Sequence, residues 1–466
     1  MATIQNIIPG RSIQRKNMIK KNSGTINLYW FFGIYITGIT IALFISEKVA
    51  VLPFNNPWDI LGPLTQEEYN PANDIIKFIT IITLPSIILL ILFVLFKKQT
   101  NSNKTKVLAK IDYKNLSFKS KIIDKNVLFF LSIIFVSIMS LNIPTYHASN
   151  NHVDSFHEGE SLGTAISYMA GEIPYKETVF VHGIFQDPLR SVIAFTLFGK
   201  SIGSARTLQS IIKILSFILL FILFLKLFQQ NYLYAHMAFV IIILALFFKD
   251  LHFPGILLIL PREVTTFLFI ISFLILNKLI TSDTIFSTTK LTAILFLFSF
   301  IPLASFAYSI DRGFFLFATF LLLTPIMFFF FMKKGFAKYY ILSSVSGLVS
   351  AALLLGILLG GEFSSFFKFV FLEIPKYKEL MDGKMYQFYN ITYLLPIAII
   401  ALNLYWIFYQ LLNELFKKNS ISSSLLEYLR THLIEICFLV MSIFFFRSAL
   451  GRSDSEHVIY SITIVY

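Results

Sequence analysis

Cysteine and charged residues are scarce in this 466-residue sequence, and nucleotide-binding motifs are absent from it. The single cysteine, Cys437, lies in an apolar run, which excludes disulfides within the chain. Charged residues make up 14% of the chain, against roughly 25% in ordinary globular domains, so a soluble globular class is excluded. No glycine-rich P-loop or dinucleotide-binding fingerprint occurs. The sequence therefore offers no case for nucleotide hydrolysis or dinucleotide binding.

Apolar residues, by contrast, make up 56% of the chain, and phenylalanine alone occurs 53 times. Runs near 20 residues recur, and each can cross a hydrocarbon core of about 30 Å as a helix. The runs predict an all-α polytopic membrane protein with about 11 spans, at 28–46, 76–96, 127–146, 207–228, 235–249, 262–281, 291–309, 313–332, 340–360, 391–413 and 431–447. The shortest, 235–249, matters most, because losing it would invert the orientation of everything after it. The closing stretch VIYSITIVY fits a partial twelfth span or a short apolar tail.

The distribution of lysine and arginine predicts orientation and domain organisation. The segment 97–125 carries nine lysines and two aspartates, which indicates a cytoplasmic loop. We therefore predict an N-terminal part, 1–126, made of a cytoplasmic segment, two extra spans and this basic loop. A transmembrane core, 127–466, then carries a catalytic outer loop at about 147–206. The net charge of +13 comes mostly from basic residues at the ends of the apolar segments, so it does not indicate nucleic-acid binding.

The outer loop contains the longest polar interval of the chain, from His152 to Arg190. Its titratable residues are His152, Asp154, His157, Glu158, Glu160, Glu172, Glu177, His182 and Asp187. A membrane protein rarely holds so many ionisable groups beside the bilayer without a function for them.

The start of this loop has helical spacing. Asp154, His157 and Glu158 would share one face of a helix, Glu160 would point elsewhere, and Gly171 would help to end the helix. A carboxylate on such a surface helix could act as a general base towards a membrane-embedded substrate, since partial burial would raise its pKa towards the working pH. The alternative is that these acids are solvated loop charges.

Several arginines fall on the same predicted outer face, where basic residues are normally scarce. They are Arg262, Arg312, Arg447 and Arg452. Guanidinium groups match phosphate oxygens well, so binding of a phosphate would explain them. The alternative is pairing with neighbouring carboxylates, Arg262 with Glu263, Arg312 with Asp311 and Arg452 with Asp454.

A metal site is a further hypothesis for the histidines and acids of the loop. His152, His157 and His182 with Asp154 and Glu158 have no tight zinc signature such as HExxH. The donor set favours, over zinc, a weakly held Mg²⁺ or Mn²⁺ that bridges a carboxylate and a lipid phosphate, and this cofactor stays a hypothesis.

Short motifs follow one another in a definite order over roughly residues 150–210. They are His157-Glu158-Gly159, Leu162 and Ala165, Gly171-Glu172-Ile173-Pro174-Tyr175, His182-Gly183, Asp187-Pro188, Leu197-Phe198-Gly199 and Ala205-Arg206. This order resembles the GT-C superfamily of integral-membrane glycosyltransferases, which use polyprenyl-phosphate sugars. The superfamily pattern has an aspartate where this chain has His157, and here the motif follows the third apolar run instead of the first.

The resemblance implies a GT-C-like fold and an inverting displacement on the extracytoplasmic face of a bacterial plasma (inner) membrane. Its implied substrates are a polyprenyl-phosphate-linked sugar and a glycan, lipid or protein acceptor, as in cell-envelope glycan assembly. Glu158 matches the catalytic position, with Asp154 as its substitute. The implied phosphate-binding residues are Arg262, Arg312, Arg452 and His182. The residues implied to contact acceptor or substrate are His157, Glu160, Asp187, Asp454 and His457.

Two other functions remain as alternatives. A lipid-linked glycan polymerase or ligase shares the outer-face chemistry but usually carries its large loop late in the chain. A transporter or flippase would place ionisable residues near the bilayer midplane and on repeated or broken helices. The predicted spans here are nearly free of charge and show no repeat.

Overall fold

The computed structural model describes residues 28–97, 155, 157–228, 231–247, 261–281, 287–417, 421–453, 458 and 461. These residues form helices and no strand, with one isolated bridge between Pro174 and Thr178. The prediction of an all-α polytopic membrane protein is confirmed. An apolar segment in a bilayer must satisfy its own backbone hydrogen bonds, and the helix does so within one segment.

The helices before and within the polar loop are α1 (Leu28–Val49), α2 (Pro63–Gln66), α3 (Ala72–Lys97), α4 (His157–Met169), a π-helical turn (Phe185–Leu189) and α5 (Arg190–Phe198). The following helices are α6 (Ile202–Leu227), α7 (Tyr232–Phe247), α8 (Glu263–Thr281), α9 (Thr288–Tyr308), α10 (Ile310–Lys333) and α11 (Ala337–Leu358). The last are α12 (Phe363–Lys368), a second π-helical turn (Phe369–Glu373), α13 (Ile374–Asp382), α14 (Ile391–Lys417), α15 (Ile421–Thr431) and α16 (Leu433–Gly451).

Nine helices in the described part of the chain are long and apolar enough to cross a membrane: α1, α3, α6, α8, α9, α10, α11, α14 and α16. The weakest predicted span, 235–249, corresponds to α7, which has 16 residues and is shorter than the others. The predicted span 127–146 lies outside the described residues. The predicted total of about 11 therefore stays a prediction.

One predicted boundary is wrong. The predicted spans 291–309 and 313–332 leave residues 310–312 as a connecting loop, but α10 already begins at Ile310, and only Ser309 separates it from α9. The helix can include the charges because carboxylates neutralise Arg312 inside the protein. Gly313 also allows tight helix packing, since a Cβ there would lie 2.6 Å from backbone atoms of Phe306.

Two main apolar cores hold the bundle together. The central core joins α6, α8, α9, α10 and α16 through buried side chains such as Phe269, Phe298 and Phe445. A second core joins α1 and α3 to α14 and α16, around Tyr405 and Phe446. Burial of such aromatic side chains provides large packing contacts in a bilayer, where association of helices depends on close packing.

The polar loop is fastened to one end of the bundle, which we call the loop end. Tyr175, Phe180 and Ile184 pack against Phe306 of α9 and Phe366 of α12. The predicted end of α4 is confirmed, because the helix stops at Met169, just before a glycine with positive φ. These contacts fix the loop against the ends of the spanning helices.

The middle of the polar loop packs closely against the junction of α9 and α10. The backbone N–H of Ile310 donates to the His182 carbonyl at 2.9 Å. Gly183 has φ of 125°, and a Cβ on it would lie 3.2 Å from the Ser309 Cα. Glycine is the residue that tolerates both this backbone conformation and this approach. This packing places the residues after Gly183 directly beside that junction.

Candidate functional site

Glu158 forms a paired ionic contact with Arg206. The Arg206 Nε donates to Glu158 Oε1 at 2.6 Å, and Nη2 donates to Oε2 at 3.0 Å. Glu158 comes from the first turn of α4 and Arg206 from the first turns of α6. Glu158 is 8% exposed. The carboxylate is therefore buried, and its charge is balanced by an arginine. Its predicted role as a base stays a prediction.

His182 and Asp187 form a second contact in the loop. Asp187 is buried and accepts from the His182 backbone N–H at 2.9 Å, while its other oxygen lies 3.0 Å from His182 Nδ1. The same ring nitrogen lies 4.0 Å from Glu160 Oε2. Three residues predicted as binding residues thus lie side by side. Asp187 orients the histidine ring, which leaves Nε2 as the ring nitrogen that no described contact uses.

We call Glu158, Glu160, His182, Asp187, Arg190 and Arg206 the loop cluster. Two buried serines tie α4 to the rest of it. Ser161 Oγ donates to the Asp187 carbonyl at 2.9 Å and lies 2.6 Å from Ser191 Oγ. Because Ser161 is on the same helix as Glu158, these bonds fix the carboxylate relative to Arg190 and the turn before it.

A second group of charges, the helix-end cluster, consists of Arg262, Glu263, Asp311 and Arg312. Arg312 is 2% exposed, donates from Nε to Glu263 Oε1 at 2.9 Å, and also contacts Asp311 at 2.9 Å. Arg262 lies 3.3 Å from Asp311. The pairing of Arg312 with Asp311 is confirmed, but the pairing of Arg262 with Glu263 is wrong. Glu263 faces Arg312, 49 residues away, because α8 and α10 pack side by side.

The two clusters adjoin each other at the junction of α9 and α10. The Phe185 ring stacks on Tyr308 at 4.5 Å between centroids, and the Tyr308 hydroxyl donates to the Pro261 carbonyl at 2.6 Å. Burial lowers the pKa of Arg190; the Asp187 carboxylate opposes this, and the nearby positive charge of Arg262 lowers the pKa further. Charges from both clusters therefore act on one another across this junction, which we call the seam.

A pocket opens beside Glu158 at the loop end. It is a small cleft with a cavity volume of about 20 Å³, and it is open to the surroundings. The lining residues are Glu158, Ser161, Leu162, Arg190, Ile202, Ala205, Arg206 and Gln209. The lining thus contains one carboxylate and two guanidinium groups, a polar set on apolar walls that suits an anionic, amphipathic ligand.

The remaining predicted site residues fall into three groups. Arg312 is enclosed by carboxylates, so in this arrangement it supports the helix ends, and its predicted phosphate contact stays a prediction. Arg452 directly follows α16 and is not among the residues that line the pocket. Asp154, Asp454 and His457 lie outside the described residues, as does the side chain of His157. Their predicted roles are therefore untested.

The metal hypothesis receives no support from the geometry. Within the described ranges, no group of three or more histidine, cysteine, aspartate or glutamate residues could hold a metal ion. Glu158 is engaged with Arg206, and Asp187 with His182. Divalent cations such as Mg²⁺ prefer several oxygen ligands around one point. We therefore assign no step to a metal.

Two residues of the site were missed as functional candidates. Arg206 was noted only as part of a motif, and Arg190 only as the end of the polar stretch. The signal that selected Arg262 and Arg312 applies equally to both, because they too are arginines on the predicted outer face, where basic residues are normally scarce. Their position inside the loop, next to acids, made them look like ordinary solvated charges.

No protein-family model, curated protein or solved structure matches this chain. Functional conclusions therefore depend on the geometry of the loop end and on the motif resemblance.

Proposed function

We propose that this protein is a membrane glycosyltransferase that moves a sugar from a polyprenyl-phosphate donor to an acceptor hydroxyl on the extracytoplasmic face. One observation carries the proposal: Glu158 and the guanidinium groups of Arg190 and Arg206 line the same pocket at the loop end. Sugar transfer from a phosphate needs a base for the acceptor and positive charge for the leaving group. Both requirements are met by residues within this pocket.

The proposed reaction is a single displacement. The carboxylate takes the proton of the acceptor hydroxyl while its oxygen forms a bond to the anomeric carbon. The bond from that carbon to the phosphate oxygen breaks, and polyprenyl phosphate leaves with the electron pair. Attack from the face opposite the leaving group inverts the anomeric configuration. The reaction needs no redox partner, and its only proton ends on the base.

Arg206 has a defined place in this scheme. A general base must carry no proton before the reaction, and an adjacent guanidinium favours the ionised form of Glu158. The bidentate contact also fixes the direction in which the carboxylate oxygens point. Asp154 remains the alternative base, because it lies four residues, about one helical turn, earlier in the sequence.

The direct test uses purified full-length protein in lipid vesicles with a panel of polyprenyl-phosphate sugars. We expect release of free polyprenyl phosphate with at least one donor and acceptor pair. Glu362→Gln is a suitable control, because Glu362 forms an ion pair with Lys176 that is partly exposed and away from the pocket. If no donor in the panel releases lipid phosphate above the level of a heat-inactivated sample, the proposal fails.

The proposed side of the membrane has its own test. Cys437 is buried, so native thiol labelling will be low. Ser155 is exposed just before α4. We expect Ser155→Cys in intact cells to react with a membrane-impermeant maleimide. Labelling only after the cells are opened would place the loop end in the cytoplasm and exclude the proposed donor face.

A transporter remains the second candidate because of one residue. Lys213 is 7% exposed and lies near the middle of α6, where a buried charge is typical of transport pathways. A transporter or flippase would move its lipid without breaking the bond between sugar and phosphate. We expect Lys213→Met to leave sugar transfer unchanged. Loss of vesicle transport in this variant, without any sugar transfer by the wild type, would favour the second candidate.

A further inference from the structure

Arg190 is partly buried, and among the described residues no carboxylate contacts it directly. Its Nε atom is inaccessible to solvent and has no hydrogen-bond partner in the described part of the chain. Its Nη1 atom reaches only Gln186 Oε1, at a long 3.4 Å. Asp187, the acid whose charge acts on Arg190, uses both oxygens on His182. A buried guanidinium N–H without an acceptor is unfavourable in the unliganded protein.

A second donor in the same place is also unused. The Nε2 atom of Gln186 is buried and makes no hydrogen bond of normal geometry to any described residue, although it lies near the Tyr308 hydroxyl. That hydroxyl donates its own proton to Pro261. Two donor atoms without a normal acceptor therefore lie together beside the pocket, and Arg262 adds positive charge there.

We propose that Arg190 binds the phosphate group of a lipid phosphate, with Arg262 strengthening the positive field around it. An anion with several acceptor oxygens supplies what this seam lacks. Guanidinium groups bind phosphate oxygens through directed, charge-assisted hydrogen bonds. The apolar residues of the lining, Leu162 and Ile202, provide contact for the adjoining lipid chain.

This inference rests on the proposed function for the identity of the lipid, and it gives that function a leaving-group site. The phosphodiester of the donor carries one negative charge, and the released phosphate monoester carries nearly two. A poorly paired guanidinium interacts more strongly with the form that carries more charge. Arg190 would therefore favour departure of the lipid phosphate as its charge develops.

The test measures binding and needs no sugar. Full-length protein in detergent is titrated with decaprenyl phosphate, with decaprenol and with inorganic phosphate, and binding is followed by thermophoresis. We expect the wild type to bind decaprenyl phosphate more tightly than decaprenol. Arg190→Gln should weaken this binding roughly ten- to a hundredfold, and Arg262→Gln should weaken it less. Arg430→Gln is the matched control, since Arg430 bonds to the Thr281 carbonyl, at the end of α8 farther from the pocket.

Melting of the unliganded variants separates binding from folding. Because Arg190 lacks a close partner, we expect Arg190→Gln to melt at the same temperature as the wild type or higher. A lower melting temperature would identify Arg190 as a structural residue and overturn the inference. Affinity of Arg190→Gln for decaprenyl phosphate within about twofold of the wild type would overturn it as well.

The remaining outcomes separate the lipid from its headgroup and the inference from the proposed function. Full displacement of decaprenyl phosphate by inorganic phosphate at a similar concentration would assign the site to free phosphate and overturn the lipid assignment. Binding that depends on Arg190, in a protein that transfers no sugar from any donor, would support the site while the proposed reaction fails. Sugar transfer by the wild type, together with unchanged lipid binding in Arg190→Gln, would support the proposed reaction and overturn the inference about Arg190.

Discussion

Two polar groups at the loop end are built in different ways. Beside the N-terminal pair of spans, Asp74 is buried and accepts from the Tyr69 hydroxyl at 2.6 Å and from the Tyr386 backbone N–H at 2.9 Å. Lys77 donates to both oxygens of Glu47, at 2.8 and 2.9 Å. We call these residues the hairpin group. Each of its carboxylate oxygens has a donor.

The loop and helix-end clusters, together with Gln186 beside Arg190, contain several buried atoms without a partner in the described part of the chain. Arg190 Nε, Gln186 Nε2 and Glu263 Oε2 have no hydrogen-bond partner within the described ranges. Arg312 directs its bonds to the other Glu263 oxygen. A buried polar atom without a partner costs about 1–3 kcal/mol. The comparison teaches that the hairpin group serves to join helices. The other clusters, by contrast, keep unpaired hydrogen-bonding atoms that a ligand can contact.

The largest effect that would sharpen this comparison is the loss of sugar transfer when the loop cluster loses its carboxylate base. Glu158→Gln keeps the size of the side chain but removes its capacity as a base. We expect sugar transfer to fall by about 10²–10⁴-fold with normal yield of folded protein. The assay is release of lipid phosphate, with Glu362→Gln as control. Turnover near that of the wild type would move the base to Asp154.

The next largest effect is on stability. Arg312→Met leaves Glu263 buried without its counter-charge and removes the contact of the guanidinium with the Phe445 ring, 5.0 Å away. Breaking one side of a fully buried ion pair costs about 3–5 kcal/mol. We expect a clearly lower melting temperature than for Arg430→Met, whose arginine is exposed. Equal melting temperatures would show that the helix-end cluster contributes little to folding.

A smaller effect is expected at the hairpin group. Asp74→Ala leaves the Tyr69 hydroxyl and the Tyr386 N–H without their acceptor, which should lower the free energy of unfolding by about 1–3 kcal/mol. Because Asp74 is not among the pocket residues, transfer per folded molecule should not change. Asp74→Asn, which keeps an acceptor, should lose less stability. Loss of transfer in fully folded Asp74→Ala would contradict the division into a joining group and a binding group.

Most spanning helices could be predicted from the sequence, because a bilayer demands apolar runs of nearly fixed length. The predicted run 391–413, for example, lies within α14, and 340–360 nearly coincides with α11. The start of α10 could not be predicted. A charged Asp311-Arg312 pair looks like a loop until Glu263 is known to face it from another helix.

The candidate site was predicted in location but not in pairing. The polar loop pointed to Glu158, His182 and Asp187, and the structure brings them to one end of the bundle. Sequence distance gave no hint that Glu158 pairs with Arg206, 48 positions later. Such pairs depend on where the first turns of α4 and α6 meet, which local patterns do not specify. The same limit hid Arg190, whose proposed role depends on its poor pairing.

The smallest expected effect concerns the short contact between Lys176 and Glu362. Their 2.8 Å distance resembles that of the buried pairs, and it joins the polar loop to the start of α12. However, both side chains are open to solvent, where hydration and salt screen the attraction and where holding two flexible side chains costs entropy. We expect Lys176→Met to leave the melting temperature unchanged within measurement error, in low and in high salt. A drop as large as that of Arg312→Met would mean that distance, and not burial, determines which contacts hold this end of the bundle.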